Sequence, residues 1–174
     1  VAPGEVFDMV RVKRSRSRLE GLNFFEKVDA SPEPTDIPNR KDLVISVEEK
    51  NTGNLTLGAG FSSIEQLVGY VEMSQGNFDL FNPPYFTGDG QKFRVRATLG
   101  TRSQDYVISF IEPWFMDRML QFSTDLYHRD IEYNSDEFRE TRTGARFGLT
   151  QALANNLRGS VSYTIENVDL DFRN

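Results

Sequence analysis

The chain has 174 residues, a formal net charge of −6, no cysteine and a single histidine, His128. Disulfides, thiolate chemistry and a histidine-rich metal site are therefore excluded, and the acidic balance argues against a nucleic-acid binder. Mean hydropathy is −0.49 and no run approaches the roughly 18 apolar residues of a membrane helix, but a barrel strand shows water one face in two, so the average hides a lipid face.

Residues 1 to about 51 read as a small helix-and-strand module. Asp8 is a helix N-cap, because its carboxylate can accept from free backbone N–H groups of the first turn. Val12, Ser15, Leu19 and Leu22 then share one helical face, while Arg11, Lys13, Arg14, Arg16 and Arg18 occupy much of the rest. A short strand follows around Phe25 and Val28, then a loop holding Pro32, Pro34 and Pro38. Leu43, Ile45 and Val47 mark a second strand. Helix, strand, loop and strand make the back half of an α+β domain whose front half lies upstream.

From Thr52 onward the pattern changes to alternating runs closed by turns rich in Gly, Asn, Asp or Pro. The first, to Ser62, sets Leu55, Leu57, Ala59 and Phe61 against Thr56, Gly58, Gly60 and Ser62. Further strands are expected at about 67–76, 91–101, 105–112, 118–129, 138–150 and 157–168. On the third, Phe93, Val95, Ala97 and Leu99 oppose Arg94, Arg96, Thr98 and Gly100; on the sixth, Ala145, Phe147 and Leu149 oppose Arg142, Gly144, Arg146 and Gly148. The polar face mixes Arg with Gly and Ser, as a crowded, wet barrel interior does. The expected fold is mainly β, an incomplete, antiparallel up-and-down transmembrane β-barrel portion of about seven strands spanning 52–174. A soluble β-sandwich binding module is the alternative with the same alternation.

Two connections carry aromatics: Phe78, Phe81, Tyr85 and Phe86 in one, Trp114 and Phe115 in the other. They join alternate strand pairs, so a meander places them at one end, where such rings form a membrane-interface girdle. The intervening connections, "RSQD" and "HRDIEYNSDEFRE", are polar.

The segments "GLNFFEKVD", "DLVISVEEKNTGNLTLGAGFSS", "YFTGDGQ" and "FIEPWF" resemble the BamA family of outer-membrane assembly factors. The resemblance implies that residues 1–51 are the C-terminal part of a POTRA domain in the periplasm. It also implies that 52–174 hold the N-terminal part of a barrel in the bacterial cell outer membrane. Glu48, Glu49, Thr52 and Gly53 stand at the family's hinge between the two. The implied activity is assembly and insertion of β-barrel proteins by lateral opening at the first strand. Its partners would be unfolded β-barrel clients, outer-membrane lipids and accessory lipoproteins, and related barrels that secrete proteins are the runner-up. Half a barrel cannot close in lipid, so the chain is expected to be part of something longer.

The first strand, Asn54, Leu55, Thr56, Leu57, Gly58, Ala59, Gly60, Phe61 and Ser62, is the candidate client-binding site. Its glycines weaken pairing, and an exposed strand edge captures an incoming strand through backbone hydrogen bonds. The competing reading is that the glycines only relieve crowding inside the barrel. Catalysis finds little support, and no enzyme, cofactor or metal is expected. The carboxylate pairs Asp136/Glu137 and Asp169/Asp171 read as solvated, Gly88-Asp89-Gly90 as a turn, and the basic helix face as a solvated face or a contact for lipid headgroups.

Overall fold

The structure is a computed structural model that describes residues 4–62, 66–132, 138–154 and 156–172. The chain divides into two units, Val1–Thr52 and Gly53–Asn174.

In the first unit, helix α1 (Met9–Gly21) is followed by strands β1 (Phe25–Pro34) and β2 (Lys41–Glu49), paired antiparallel. Asp8 caps the helix, its Oδ1 accepting from the Val10 N–H at 2.8 Å. α1 packs on β1, where Val12 and Val28 are each 3% exposed. Leu22 lies past the expected helical face, as the C-cap. Two of the basic residues on α1 are ion-paired, Arg11 with Glu5 and Arg16 with Glu20. The expected proline loop is shorter than the sequence implies. Pro32 pairs with Leu43 and Pro34 with Lys41, so both prolines belong to β1. Their spacing of two puts both missing N–H groups on the same side of β1, and in a two-stranded sheet β1 is an edge strand, where proline is tolerated.

The second unit is a meander of seven described strands. They are β3 (Gly53–Ser62), β4 (Gln66–Phe78), β5 (Gln91–Gly100), β6 (Ser103–Glu112), β7 (Leu120–Glu132), β8 (Phe138–Ala154) and β9 (Leu157–Phe172). Each pairs antiparallel with its sequence neighbours, leaving β3 and β9 as the two edges. Up-and-down connectivity therefore holds, and only a single sheet is present in this unit among the described residues. Among the described residues no second sheet packs on it, whereas a sandwich would pair two sheets face to face. A short 3-10 turn, Phe115–Asp117, connects β6 to β7.

Register fixes two chemically distinct faces. One ladder row runs Leu55, Met73, Val95, Ile108, Leu126, Ala145 and Ile165, apolar on all seven strands. The neighbouring row on the opposite face runs Thr56, Glu72, Arg96, Val107, Tyr127, Gly144 and Glu166. Among the described residues, the only buried hydrophobic side chains are Val12 and Val28, and neither is in this sheet. Leu57 is 72% exposed and Phe61 83%, so an apolar face spanning seven strands has no protein cover among the described residues. Hydrocarbon is the environment that removes that cost.

The apolar band also slants across the ladder. It is centred between Leu57 and Ala59 on β3, but at Val161 on β9. Traced through the pairing, that drift is about seven residues, or about 24 Å, across six strand spacings of about 4.8 Å, so the strands tilt by about 40°. Barrel closure demands a tilt of this size. The slant explains why β8 and β9 are longer than the alternating pattern implies. Beyond the row of His128, Thr143 and Asn167 the outward positions turn polar, at Asp130, Thr141 and Asp169, yet the ladder continues.

Candidate functional site

The candidate strand β3 pairs with β4 over ten consecutive residue pairs, from Gly53↔Gln75 to Ser62↔Gln66. Its other edge meets no described strand. A β-strand directs alternate backbone groups to each side, so from Asn54 to Phe61 half of the N–H and C=O groups point along that open edge. Leu55, Leu57, Ala59 and Phe61 lie on the apolar face. Thr56, Gly58 and Gly60 lie on the polar one, where Asn54 Nδ2 donates to Thr56 Oγ1 at 3.1 Å. Ser62 ends the strand opposite Gln66.

The two glycines of β3 differ. An added Cβ on Gly58 would sit 2.6 Å from Tyr70 Cζ, whereas on Gly60 it would meet only Val68 Cγ1 at 3.7 Å. Crowding therefore accounts for Gly58 and leaves Gly60 as a position where a side chain would fit. Tyr70 escapes a reading confined to β3; the usable signal is the antiparallel pairing of Ser62 with Gln66, which places Tyr70 opposite Gly58.

The polar face is a web of charge-assisted contacts. Arg96 Nη1 lies 3.8 Å from Glu72, Arg129 Nη2 3.3 Å from Asp105, and Arg142 Nη1 3.4 Å from Glu166. Arg142 also pairs with Glu140, one of the few buried side chains. Tyr127 donates its hydroxyl to Glu166 at 2.6 Å, and Arg94 donates to Ser109 at 3.2 Å. Hydrogen bonding of this density is what polar groups facing a narrow, wet interior require.

At the end of the sheet where β3 begins, the aromatic positions gather in two groups. A register shift between Gln75 and Phe78 turns Phe78 onto the apolar face. There it stacks on Phe93 at 5.0 Å and Phe86 at 5.9 Å and meets Phe110 edge-on at 6.4 Å. Phe115 stacks on Phe122 at 5.1 Å. Phe81 and Tyr85 are at least 80% exposed and Trp114 57%. Phe93, Phe110 and Phe122 extend the expected girdle; they escape notice in sequence because they also satisfy strand alternation. At the other end, Tyr106 and His128 rings stack at 6.4 Å at the margin of the band, with His128 Nδ1 2.7 Å from Thr143 Oγ1.

The connection from β4 to β5 is built around Gln91, 3% exposed. Its Oε1 accepts from the Leu80 N–H and its Nε2 donates to Asp89 Oδ2 at 2.8 Å. Gly88 (φ 132°) and Gly90 (φ 72°) flank Asp89 in backbone that favours glycine, as the turn reading requires. Partial burial, with help from the Glu112, Asp79 and Asp117 carboxylates, raises the Asp89 pKa above the ordinary carboxylate value; the Gln91 hydrogen bond opposes this. Asp169 and Asp171 lie on exposed positions of β9. Asp136 and Glu137 lie outside the described residues.

The Omp85 superfamily domain matches residues 86–174. An outer membrane protein assembly factor BamA from Nitratidesulfovibrio vulgaris is 30% identical over 151 residues, 86% of this chain and 18% of that protein. A putative outer membrane protein assembly factor from Treponema pallidum is 28% identical over 131 residues, 74% of this chain and 15% of that protein. The chain thus spans less than a fifth of either relative. The crystal structure of BamA from Haemophilus ducreyi lacking POTRA domains 1-3 matches with a TM-score of 0.73 at 22% identity, over 91% of this chain and 30% of that one, a likeness of fold.

Proposed function

Because this chain belongs to the Omp85 superfamily and has the fold of a BamA barrel wall, we propose that it serves the assembly and insertion of β-barrel proteins into the bacterial outer membrane, with β3 as the template strand. The strands sit in the outer membrane, and residues 1–51 stand on the periplasmic side. The aromatic connections, at the end where β3 begins, then face the periplasm.

One observation supports this reading: β3, the first strand of the sheet, pairs with β4 alone among the described strands and carries an exposed apolar face. An unfolded client strand pairs along that edge by β-augmentation, where main-chain hydrogen bonds supply affinity without reading sequence. Pairing still reads pattern. A guest residue opposite Leu55, Leu57, Ala59 or Phe61 is forced to the lipid side, and its neighbours to the polar side. Clients with barrel alternation are accepted and uniformly polar strands are not. No bond is made or broken, so the protein is a folding template and not an enzyme, and the free energy comes from the client's own burial in lipid. Outer-membrane lipids contact the slanted band, and accessory lipoproteins are proposed partners of the N-terminal unit.

The test is reconstitution of the full-length protein in proteoliposomes, offered either an unfolded β-barrel client or a soluble passenger. Client that becomes membrane-integral and heat-modifiable, with no passenger crossing, is the expected result. Passenger transport without client insertion would move the assignment to a secretion barrel.

A further inference from the structure

Gly58 and Tyr70 stand directly opposite each other across the β3–β4 ladder. The ring covers the Gly58 backbone so closely that an added Cβ would lie 2.9 Å from the tyrosine oxygen and nearer still to the ring carbons. The Arg96 guanidinium lies 4.7 Å from the centroid of the same ring, and Arg96 is in turn paired with Glu72. Three strands are thus tied on the polar face by one aromatic side chain. The arrangement recurs away from the edge. Tyr127 stands opposite Gly144, where an added Cβ would meet its hydroxyl at 2.6 Å, and that hydroxyl is held by Glu166.

The hydrophobic pattern of β3 cannot set its own register. A slip of one residue reverses its faces and is forbidden. A slip of two returns every apolar residue to the apolar side, so Leu55, Leu57, Ala59 and Phe61 tolerate it. What distinguishes the registers is the seat available to Tyr70. Thr56 offers none, Gly58 is occupied, and Gly60, with room above it, is the only other glycine at the right parity. We propose that Tyr70 is a positioning residue for the template edge. Its ring, steadied by Arg96, locks β3 onto β4 in a single register with Gly58 as the seat; without it, β3 is released to slip by two, into the register that sets Gly60 opposite residue 70. This rests on β3 being the template, because a guest strand inherits whatever register β3 holds.

The test uses paired cysteines in a cysteine-free, full-length protein in membranes. Leu57→Cys with Val71→Cys reports the native register, since these residues are directly opposite, where Cα separations suit a disulfide. Leu57→Cys with Met73→Cys reports the slipped one. Ile108→Cys with Leu126→Cys, on β6 and β7, is the control. With Tyr70→Ala, the ratio of slipped to native cross-link should rise about threefold or more, as loss of a cross-strand aromatic and a cation–π contact implies. Tyr70→Phe should restore the native ratio, and the control pair should not change. An unchanged ratio in folded Tyr70→Ala protein, or Tyr70→Phe behaving as Tyr70→Ala, would overturn the proposal. A shifted ratio supports Tyr70 as the lock even if client insertion is normal, in which case the template reading of β3 is what fails.

Discussion

Gly58 and Gly60 are two residues apart on the same face of one strand, yet only one of them is sterically obliged to be glycine. Gly58→Ala drives a methyl group into the Tyr70 ring and should destabilise the folded protein by about 1–3 kcal/mol, as overpacking does. Gly60→Ala meets ordinary contact distances and should be neutral, or stabilising by up to about 1 kcal/mol through the unfolded chain. Urea unfolding of the two variants in matched detergent measures the contrast; equal losses would refute the difference in packing. Asp89 offers a second test at this scale. Its folded pKa is raised, so its charged form costs stability at neutral pH, and that cost fades as pH falls through the raised value toward the ordinary carboxylate range. Asp89→Asn keeps an acceptor for Gln91 and removes the charge. It should be more stable than the parent at neutral pH, with the gap closing on acidification. A gap independent of pH, in thermal unfolding followed from neutral to acid conditions, would count against this origin.

The strands were legible because alternation is a local signal; seven runs follow from it directly, and the faces read for the first, third and sixth agree with the observed register. Three features were not local. Pro32 and Pro34 look like loop residues, but β1 is an edge strand of a two-stranded sheet, and an edge strand tolerates proline. Phe78 reads as belonging to a loop until a register shift delivers it to the apolar face beside Phe93 and Phe110. The far ends of β8 and β9 leave the pattern outside the band, where on β9 the alternation reverses and puts Asp169 and Asp171 on the face of Val161 and Ile165, but they remain strands because each pairs with the other. The candidate edge strand was legible as a segment, whereas its lock was not, since Tyr70 lies on a different strand. Facing is testable at this scale. Ile108→Arg, in the all-apolar row, should cost about 2–4 kcal/mol, and Thr141→Arg, beyond the band on the same face, about 0–1 kcal/mol. Equal costs in folding assays into lipid bilayers would invalidate the assigned band.

For the whole molecule, the slanted band and the open β3 edge make one claim: the sheet separates oil from water, and its leading strand extends that separation to whatever strand pairs with it. The polar face carries arginine-carboxylate pairs and tyrosines seated on glycines up to that edge. The most direct measurement is a photo-cross-linking scan of the full-length protein in membranes during client assembly, with the photoreactive side chain placed in turn at each residue from Asn54 to Phe61 and at matched positions on β6. Client adducts should form along β3 and be absent from β6, whose two edges are already paired with β5 and β7. Adducts that are missing from β3, or equally abundant on β6, would contradict the account.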